Sequence, residues 1–295
     1  MYNSTKSNQK DYALIDYYNN KNKEEIEVTK ETCNKCGNEV IKDRKLDDNV
    51  WSCPNCGLEE YQSQRSSTEL ESTYSDKYAL TDNESIYLIK RFLIDNIYNS
   101  AKLEKINITF PETKTLIENG KTINIPLSDL EKIINLRDAW NYFLKNINQP
   151  TDLKYICRIN SFIARNESLE WGVLRTGVVG ISGTDYIPPI PKDECVLEKM
   201  RELKMESNST TEYAIELFLY LCKAQLFWDG NKRTAHIVAN KVMLSNGNGI
   251  LIIDANKLDI FNYSLHDFYH NNNKKGIKDF LYNNCIKGIG YQMSI

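Results

Sequence analysis

The chain has 295 residues, enough to bury a core in one large domain or two unequal ones. With 41% hydrophobic residues, 26% charged residues and a formal net charge of -3, it has the make-up of a soluble globular protein with no bulk pull toward nucleic acid or anionic lipid. The first residues, MYNSTKSNQKDY, hold no apolar core and no apolar run nears the roughly 18 residues of a spanning helix, so neither a secretory signal nor a membrane span is expected.

Residues 1–30 are expected to form an N-terminal arm with a short polar helix around DYALIDYYNN. Residues 31–60 form a four-cysteine module: CNKC (Cys33, Cys36) and CPNC (Cys53, Cys56), sixteen residues apart, with Gly37 and Gly57 relieving the backbone behind each pair. Two such turns with a hairpin between them close a tetrahedron of thiolates around a structural Zn²⁺. No βαβ pattern surrounds either motif, which sets aside a redox role. Lys30, Lys35, Lys42, Arg44 and Lys45 stand against Glu31, Glu39, Asp43, Asp47 and Asp48. A ribbon so balanced suits protein docking or stabilisation better than nucleic-acid binding. Tight cysteine pairs beside four scattered thiols, Cys157, Cys195, Cys222 and Cys285, predict a reducing, cytoplasmic setting in which the scattered four pack as small apolar groups. Residues 61–83 turn rich in Ser, Thr, Gln and Glu and read as a polar linker, leaving 84–295 as a helical domain.

In that domain TDNE (81–84) reads as a capping box, with Ile86, Ile89, Leu93 and Ile97 following at helix spacing. SDLE (128–131) reads as a second box ahead of Ile133, Trp140, Leu144 and Ile147, and Thr151 or Asp152 caps a third helix through Ile156, Ile159 and Ile163. The rhythm breaks at LRTGVVGISGTDYIPPIP (174–191), where β-prone runs flank Gly180, Ile181, Ser182, Gly183 and Thr184 and prolines stop the second run. A β-hairpin or extended arm is expected there. TEYAIELFLYLCKAQLF (211–227) is apolar nearly all round, as a central helix should be. A loop follows, then a helix through TAHIVANKVMLSNG, the extended run GILIID and a last helix around IKDFLYNNCI. His266 and His270, four apart, read as a surface pair.

The stretch QLFWDGNKRTAH (225–236) carries the chemistry. A buried helix running through a Gly-containing turn into a new helix leaves bare amides at the second helix's start, which with the helix dipole bind anions. Asp229 can hold a Mg²⁺ bridging phosphates, Arg233 offers a fork of donors and Lys232 a point charge. The plainer reading is a helix-linking turn with solvated cations.

The motif FWDGNKR after a buried helix, with SGTDYIPP some forty residues upstream, resembles the Fic/Doc (Fido) family over roughly residues 85–290. The resemblance implies a mainly α Fido-type helical bundle with a β-hairpin flap, beside the small β zinc ribbon. It implies that members move AMP, or in the Doc branch a phosphate, from ATP to a protein hydroxyl. Phe227 then matches the aromatic that anchors the loop, Asp229 the Mg²⁺-binding acid, Gly230 and Asn231 the anion-cradling turn, and Arg233 the phosphate arginine. The flap around 178–186 would hold the target segment as an added strand. The sequence departs from the family at Gln225, which replaces the histidine base; at Leu226, which replaces a proline; and at His236, which replaces a second arginine. Lys232 leaves AMP and phosphate both open. Glu118, in TKTLIENG (113–120), lies near where the family carries an inhibitory glutamate. Two functions follow: a transferase of reduced or altered activity using ATP and Mg²⁺ on a protein target, or a catalytically silent Fido fold acting as a nucleotide-binding or interaction protein.

Overall fold

The computed structural model describes residues 74–121 and 124–290 in full, together with the backbone of four three-residue strands nearer the N-terminus. The chain divides into two compact units, Met1–Glu69 and Leu70–Ile295. In the first, β1 (Lys30–Thr32) pairs antiparallel with β2 (Glu39–Ile41), and β3 (Val50–Ser52) with β4 (Glu59–Tyr61). The pairing thus runs across each CxxC motif rather than through one hairpin between the two: residues 33–38 connect one strand pair and 53–58 the other. Cys33, Cys36, Cys53 and Cys56 themselves, and the helix expected near residues 11–20, lie outside the described residues.

Among the described residues the second unit holds ten α-helices. Its N-terminal edge is no free linker from Tyr74 onward. The Tyr74 hydroxyl donates to Asp279 at 2.8 Å, the Asp76 carboxylate accepts the Thr211 amide at 2.7 Å, and the Leu80 amide reaches the Gly247 carbonyl at 2.8 Å. Glycines admit this strap: a Cβ on Gly247 would sit 2.3 Å from the Leu80 carbonyl oxygen, and one on Gly288 2.3 Å from the Tyr78 ring.

Helix α1 (Asp82–Arg91) starts on the expected capping box, Thr81 and Glu84 each bonding the other's backbone amide. The apolar pattern through Ile97 is two helices, not one, since the backbone breaks at Phe92 before α2 (Leu93–Leu103). A box of the same kind, Thr109 with Glu112, opens α3 (Phe110–Asn119), which ends on left-handed Gly120. SDLE is not a cap: α4 (Leu127–Lys145) begins ahead of it, and the Asp129 and Leu130 amides reach the Pro126 carbonyl at 3.0 Å. Asp152, not Thr151, caps α5 (Leu153–Ile163) by accepting the Tyr155 amide at 2.7 Å.

The arm at 176–191 follows, then α6 (Asp193–Glu206), α7 (Thr210–Ala224) and α8 (Asn231–Leu244). β5 (Ile250–Leu251) pairs antiparallel with β6 (Ile286–Lys287), and between them lie α9 (Leu258–Asn271) and α10 (Lys274–Cys285). Every residue of α8 except Lys232 is buried, so α8 is the axis of the unit. Its Val238, Ala239 and Val242 join α7, α9 and α10 in one apolar cluster, while Ile237 and Leu244 join α1, α2, α4 and α5 in the other. No helix among the described residues is long and apolar enough to cross a membrane.

Of the two forms expected for the arm, hairpin or extended, it takes the extended one: no strand ladder forms in residues 176–191. Pro188, Pro189 and Pro191 have no N–H to give a ladder, and the carbonyls of Gly177, Pro188 and Pro189 are taken instead by the buried guanidinium of Arg175, at 2.6, 3.2 and 2.6 Å. Cys195 is another departure, being exposed on α6, while Cys222 and Cys285 are buried and Cys157 half-buried.

Candidate anion-binding loop between two buried helices

Helix α7 ends at Gln225, which adopts the left-handed conformation (φ 46°), and α8 starts after Gly230, also left-handed (φ 73°). A Cβ at Gly230 would lie 2.6 Å from Ile163 Cγ2, so the turn is pressed onto the end of α5 and admits only glycine. Buried Leu226 and Phe227 root the loop in the core. Asn231 closes it from inside: its Oδ1 accepts the Phe227 amide at 2.9 Å, and its Nδ2 donates to the Phe227 carbonyl at 2.8 Å and to Gln225 Oε1 at 3.1 Å. Asn160 of α5 holds it from below, donating to the Asp229 carbonyl at 3.0 Å and to Thr234 Oγ1 at 3.2 Å. The same Asn160 accepts the Gly172 amide at 2.9 Å, tying loop and arm to one side chain.

No side chain caps α8, and Thr234 is the first residue whose amide reaches back to a carbonyl, that of Gly230 at 2.8 Å. The amides of Asn231, Lys232 and Arg233 are left without an acceptor among the described residues, at the positive end of a buried helix dipole. Asp229 stands beside them with its side chain half exposed. Its Oδ1 takes the Gly230 amide and, at 3.3 Å, Arg233 Nη2. Its Oδ2 has no partner among the described residues, which fits a hard cation such as Mg²⁺.

Arg233 is not free to meet a phosphate. Its side chain is 1% exposed, with Nε 3.2 Å from Glu104, Nη2 2.9 Å from Glu167 and Nη1 3.0 Å from Glu167. Burial works against the charge, but the nearby carboxylates of Glu104, Glu167 and Asp229 outweigh it and hold the guanidinium above its ordinary value. Glu118 is not among these partners; it is exposed near the end of α3.

His236 does not join the loop. It is buried, its Nε2 lies 2.9 Å from the Leu251 carbonyl and its ring meets Trp140 edge-on, so it serves the core and not a phosphate. Burial pushes its pKa down to about 4, against a weaker opposing effect of the Leu251 bond. The folded state therefore binds the His236 proton more weakly than the unfolded state, and this contribution to stability is complete above about pH 6.5 and shrinks as pH falls toward 4. Lowering pH from 6.5 to 5 should cost about 2 kcal/mol from this group. Urea unfolding at the two pH values checks it, and His236→Gln should flatten the difference.

Gln225 is committed on both ends of its carboxamide. Nε2 donates to the Cys222 carbonyl at 2.6 Å, while Oε1 accepts from Asn231. The arm crosses nearby: Trp228 covers Gly177 so closely that a Cβ there would be 2.4 Å from the indole. Its tip is a turn in which the Thr184 amide reaches the Ile181 carbonyl at 3.1 Å; Gly180, Ser182 and Gly183 are exposed, and Ile181 packs on the core. His266 Nε2 meets the Gly183 carbonyl at 2.7 Å, and His270 stacks on His266, so the pair secures the arm.

Four residues that pattern reading passes over thus build the site: Arg175, Glu104, Glu167 and Asn160. Arg175 also donates to the Gln225 carbonyl at 2.5 Å, so one buried cation joins both limbs of the arm to the head of the loop. Nothing local marks them, because each meets the loop from an element distant in the chain.

The candidate site is a helix–loop–helix turn with an uncapped second helix, set in a mainly helical fold beneath an extended arm. The Fic/DOC family model matches residues 150–243, from the approach to α5 to the end of α8, and over this span the chain carries a Fic/DOC domain. Solved structures share the fold. A Fic domain containing signaling protein from Bacteroides thetaiotaomicron is 19% identical, with a TM-score of 0.54 over 64% of this chain and 75% of its own. Fic-1 from C. elegans is 17% identical, with 0.55 over 68% and 61%, and a Fic family protein from Desulfovibrio desulfuricans is 14% identical, with 0.55 over 67% and 63%. The chain therefore spans less than two thirds of the last two. No curated protein matches the sequence.

Proposed function

We propose that the loop between α7 and α8 holds the phosphate tail of a nucleotide, with Mg²⁺ on Asp229, and that the protein acts through this bound state as a partner-binding module whose transfer chemistry is disarmed. Members of the Fic/DOC family transfer AMP or a phosphate from ATP to protein hydroxyls, and the uncapped start of α8 beside half-exposed Asp229 is the observation that supports nucleotide binding here. The disarmed reading rests on Gln225. A carboxamide does not accept a proton near neutral pH, and both of its polar atoms are already spent on Cys222 and Asn231. The arm, held as a non-ladder strap by Arg175, offers its exposed residues Gly180, Ser182 and Gly183 to a target segment.

The four cysteines at 33, 36, 53 and 56 belong to the same proposal as a structural Zn²⁺ site. Its support is their spacing and the antiparallel strand pairs that flank each motif. Calorimetry of the native chain with ATP and Mg²⁺ is the test. Saturable, Mg²⁺-dependent binding is expected, with the Mg²⁺ dependence lost in Asp229→Asn. ATP labelled at the α- or γ-phosphate should leave no label on lysate proteins. Elemental analysis of the same sample should give one zinc per chain. Absence of ATP binding overturns the nucleotide reading, label transfer by the native chain restores the working transferase, and a zinc-free chain removes the ribbon.

A further inference from the structure

On the far side of the arm from its tip lies a groove of about 400 Å³ walled by the outgoing limb of the arm, α6, the end of α7 and the end of α9. Its floor is apolar: Val196, Leu203, Leu226 and Phe268 line it and are buried. Its polar lining is one-sided. Lys192, Lys199, Lys223 and Lys274 face it with a single carboxylate, Glu216, and that carboxylate is already held by Lys274 at 2.9 Å and Lys278 at 2.8 Å. The acids at the start of α6, Asp193, Glu194 and Glu198, do not line it. In a chain of net charge -3 this is a local island of positive charge.

Lys223 belongs to that island. Its ammonium sits 4.9 Å over the Tyr186 ring and 4.8 Å over the Phe268 ring, and it donates to Asn272 Oδ1 at 2.8 Å and to the Phe268 carbonyl at 3.4 Å. These are neutral groups. Lys199 has Glu202 at 2.8 Å, whereas Lys223 and Lys192 have no carboxylate among the described residues. Partial burial of Lys223, together with the nearby charge of Lys274, lowers its pKa below the ordinary lysine value, the state of a cation short of counter-charge.

We infer that this groove docks an acidic, extended segment of the target protein, with an apolar side chain on the Val196–Leu226 floor and a carboxylate on Lys223. The occupant is fixed by complementarity: apolar floor, cationic rim and no free carboxylate to repel an acid. The inference rests on reading the arm as a target-holding strap, since Tyr186 and Pro189–Lys192 give one limb to both surfaces. It does not require a bound nucleotide, so its test runs without ATP and fails independently of the nucleotide proposal.

The probe is a fluorescein-labelled nine-residue peptide alternating glutamate with leucine and tyrosine, with a lysine-for-glutamate counterpart as control. Fluorescence anisotropy with the full chain should show binding of the acidic peptide alone, weakening as salt rises. Lys223→Gln should weaken it about tenfold or more, as expected for loss of a hydrogen bond to a charged group. Lys192→Glu, at an exposed position whose side chain caps nothing, should weaken it in the same direction. The acidic peptide should also slow alkylation of Cys195, which opens into the groove, as read by mass spectrometry of that peptide fragment. Equal binding of the two peptides, unchanged affinity in Lys192→Glu, or undiminished alkylation of Cys195 at saturation each overturns the inference.

Discussion

Replacing Arg233 with methionine should lower the stability of the helical unit by about 3–5 kcal/mol, the cost of breaking a buried ion pair by removing one partner. The guanidinium faces three carboxylates, Glu104 at 3.2 Å, Glu167 at 2.9 Å and Asp229 at 3.3 Å, and Glu167 is itself only 8% exposed. Methionine fills much the same volume, so the loss measures the stranded acids more than a cavity. Asp229, half exposed, regains water and contributes little. Glu167 cannot do so, and its remaining donor is Asn135 Nδ2 at 3.3 Å. Arg233→Lys should recover only part of the loss, because a single ammonium cannot reach Glu104 and Glu167 with the fork geometry that Nε, Nη1 and Nη2 provide. Urea unfolding followed by the helical circular dichroism signal makes the measurement. A loss below about 1 kcal/mol at pH 7 would mean that the carboxylates are not confined as described.

This cluster also shows which features the amino-acid pattern carries and which it does not. Thr81–Glu84 is legible as a cap, and Asp152 as one of two candidates with Thr151, because a cap is a contact over three residues, although the same pattern misleads at SDLE; α7 is legible because a helix apolar on all sides can only be central. The loop from Gln225 to Arg233 was legible because the turn, the acid and the cations are contiguous. The sequence does not reveal that Arg233 is consumed by Glu104 and Glu167, since those partners lie in separate elements and look like ordinary surface acids until the fold closes. The same distance hid the role of Arg175, whose bond to the Gln225 carbonyl ties the extended arm to the loop. It also hid the docking of residues 74–80, whose Ser- and Lys-containing composition reads as a linker although Gly247 and Gly288 are shaped to admit Leu80 and Tyr78. Helices α6 and α9 are faint in the sequence for a different reason: each buries a narrow stripe, Val196, Met200 and Leu203 in one and Phe261, Leu265, Phe268 and Tyr269 in the other, within mostly polar surroundings.

Gln225→His should convert the chain into a measurable transferase, raising label transfer from ATP by about a hundredfold to ten-thousandfold over the native background, the usual range for a positioned general base. The backbone at 225 needs no change. Its left-handed turn is held by the bond of Arg175 to the backbone carbonyl of residue 225, which the substitution leaves in place. A histidine there can give its Nδ1–H to the Cys222 carbonyl, which now receives the carboxamide N–H at 2.6 Å. That bond would fix the tautomer and leave Nε2 with its lone pair for an incoming hydroxyl. Activity should then rise with pH through about 6.5 as the imidazole loses its proton, whereas the native chain should show no such rise. Label from the α-phosphate identifies AMP transfer and label from the γ-phosphate identifies phosphate transfer, which Lys232 leaves open. Because Arg233 is held by Glu104 and Glu167, the new activity has to draw its phosphate grip from the amides of Asn231, Lys232 and Arg233 and from Mg²⁺ on Asp229. Adding Asp229→Asn to Gln225→His should therefore remove the gain while leaving the fold intact. A double variant as active as Gln225→His alone would show that the acid at 229 plays no part in holding the donor.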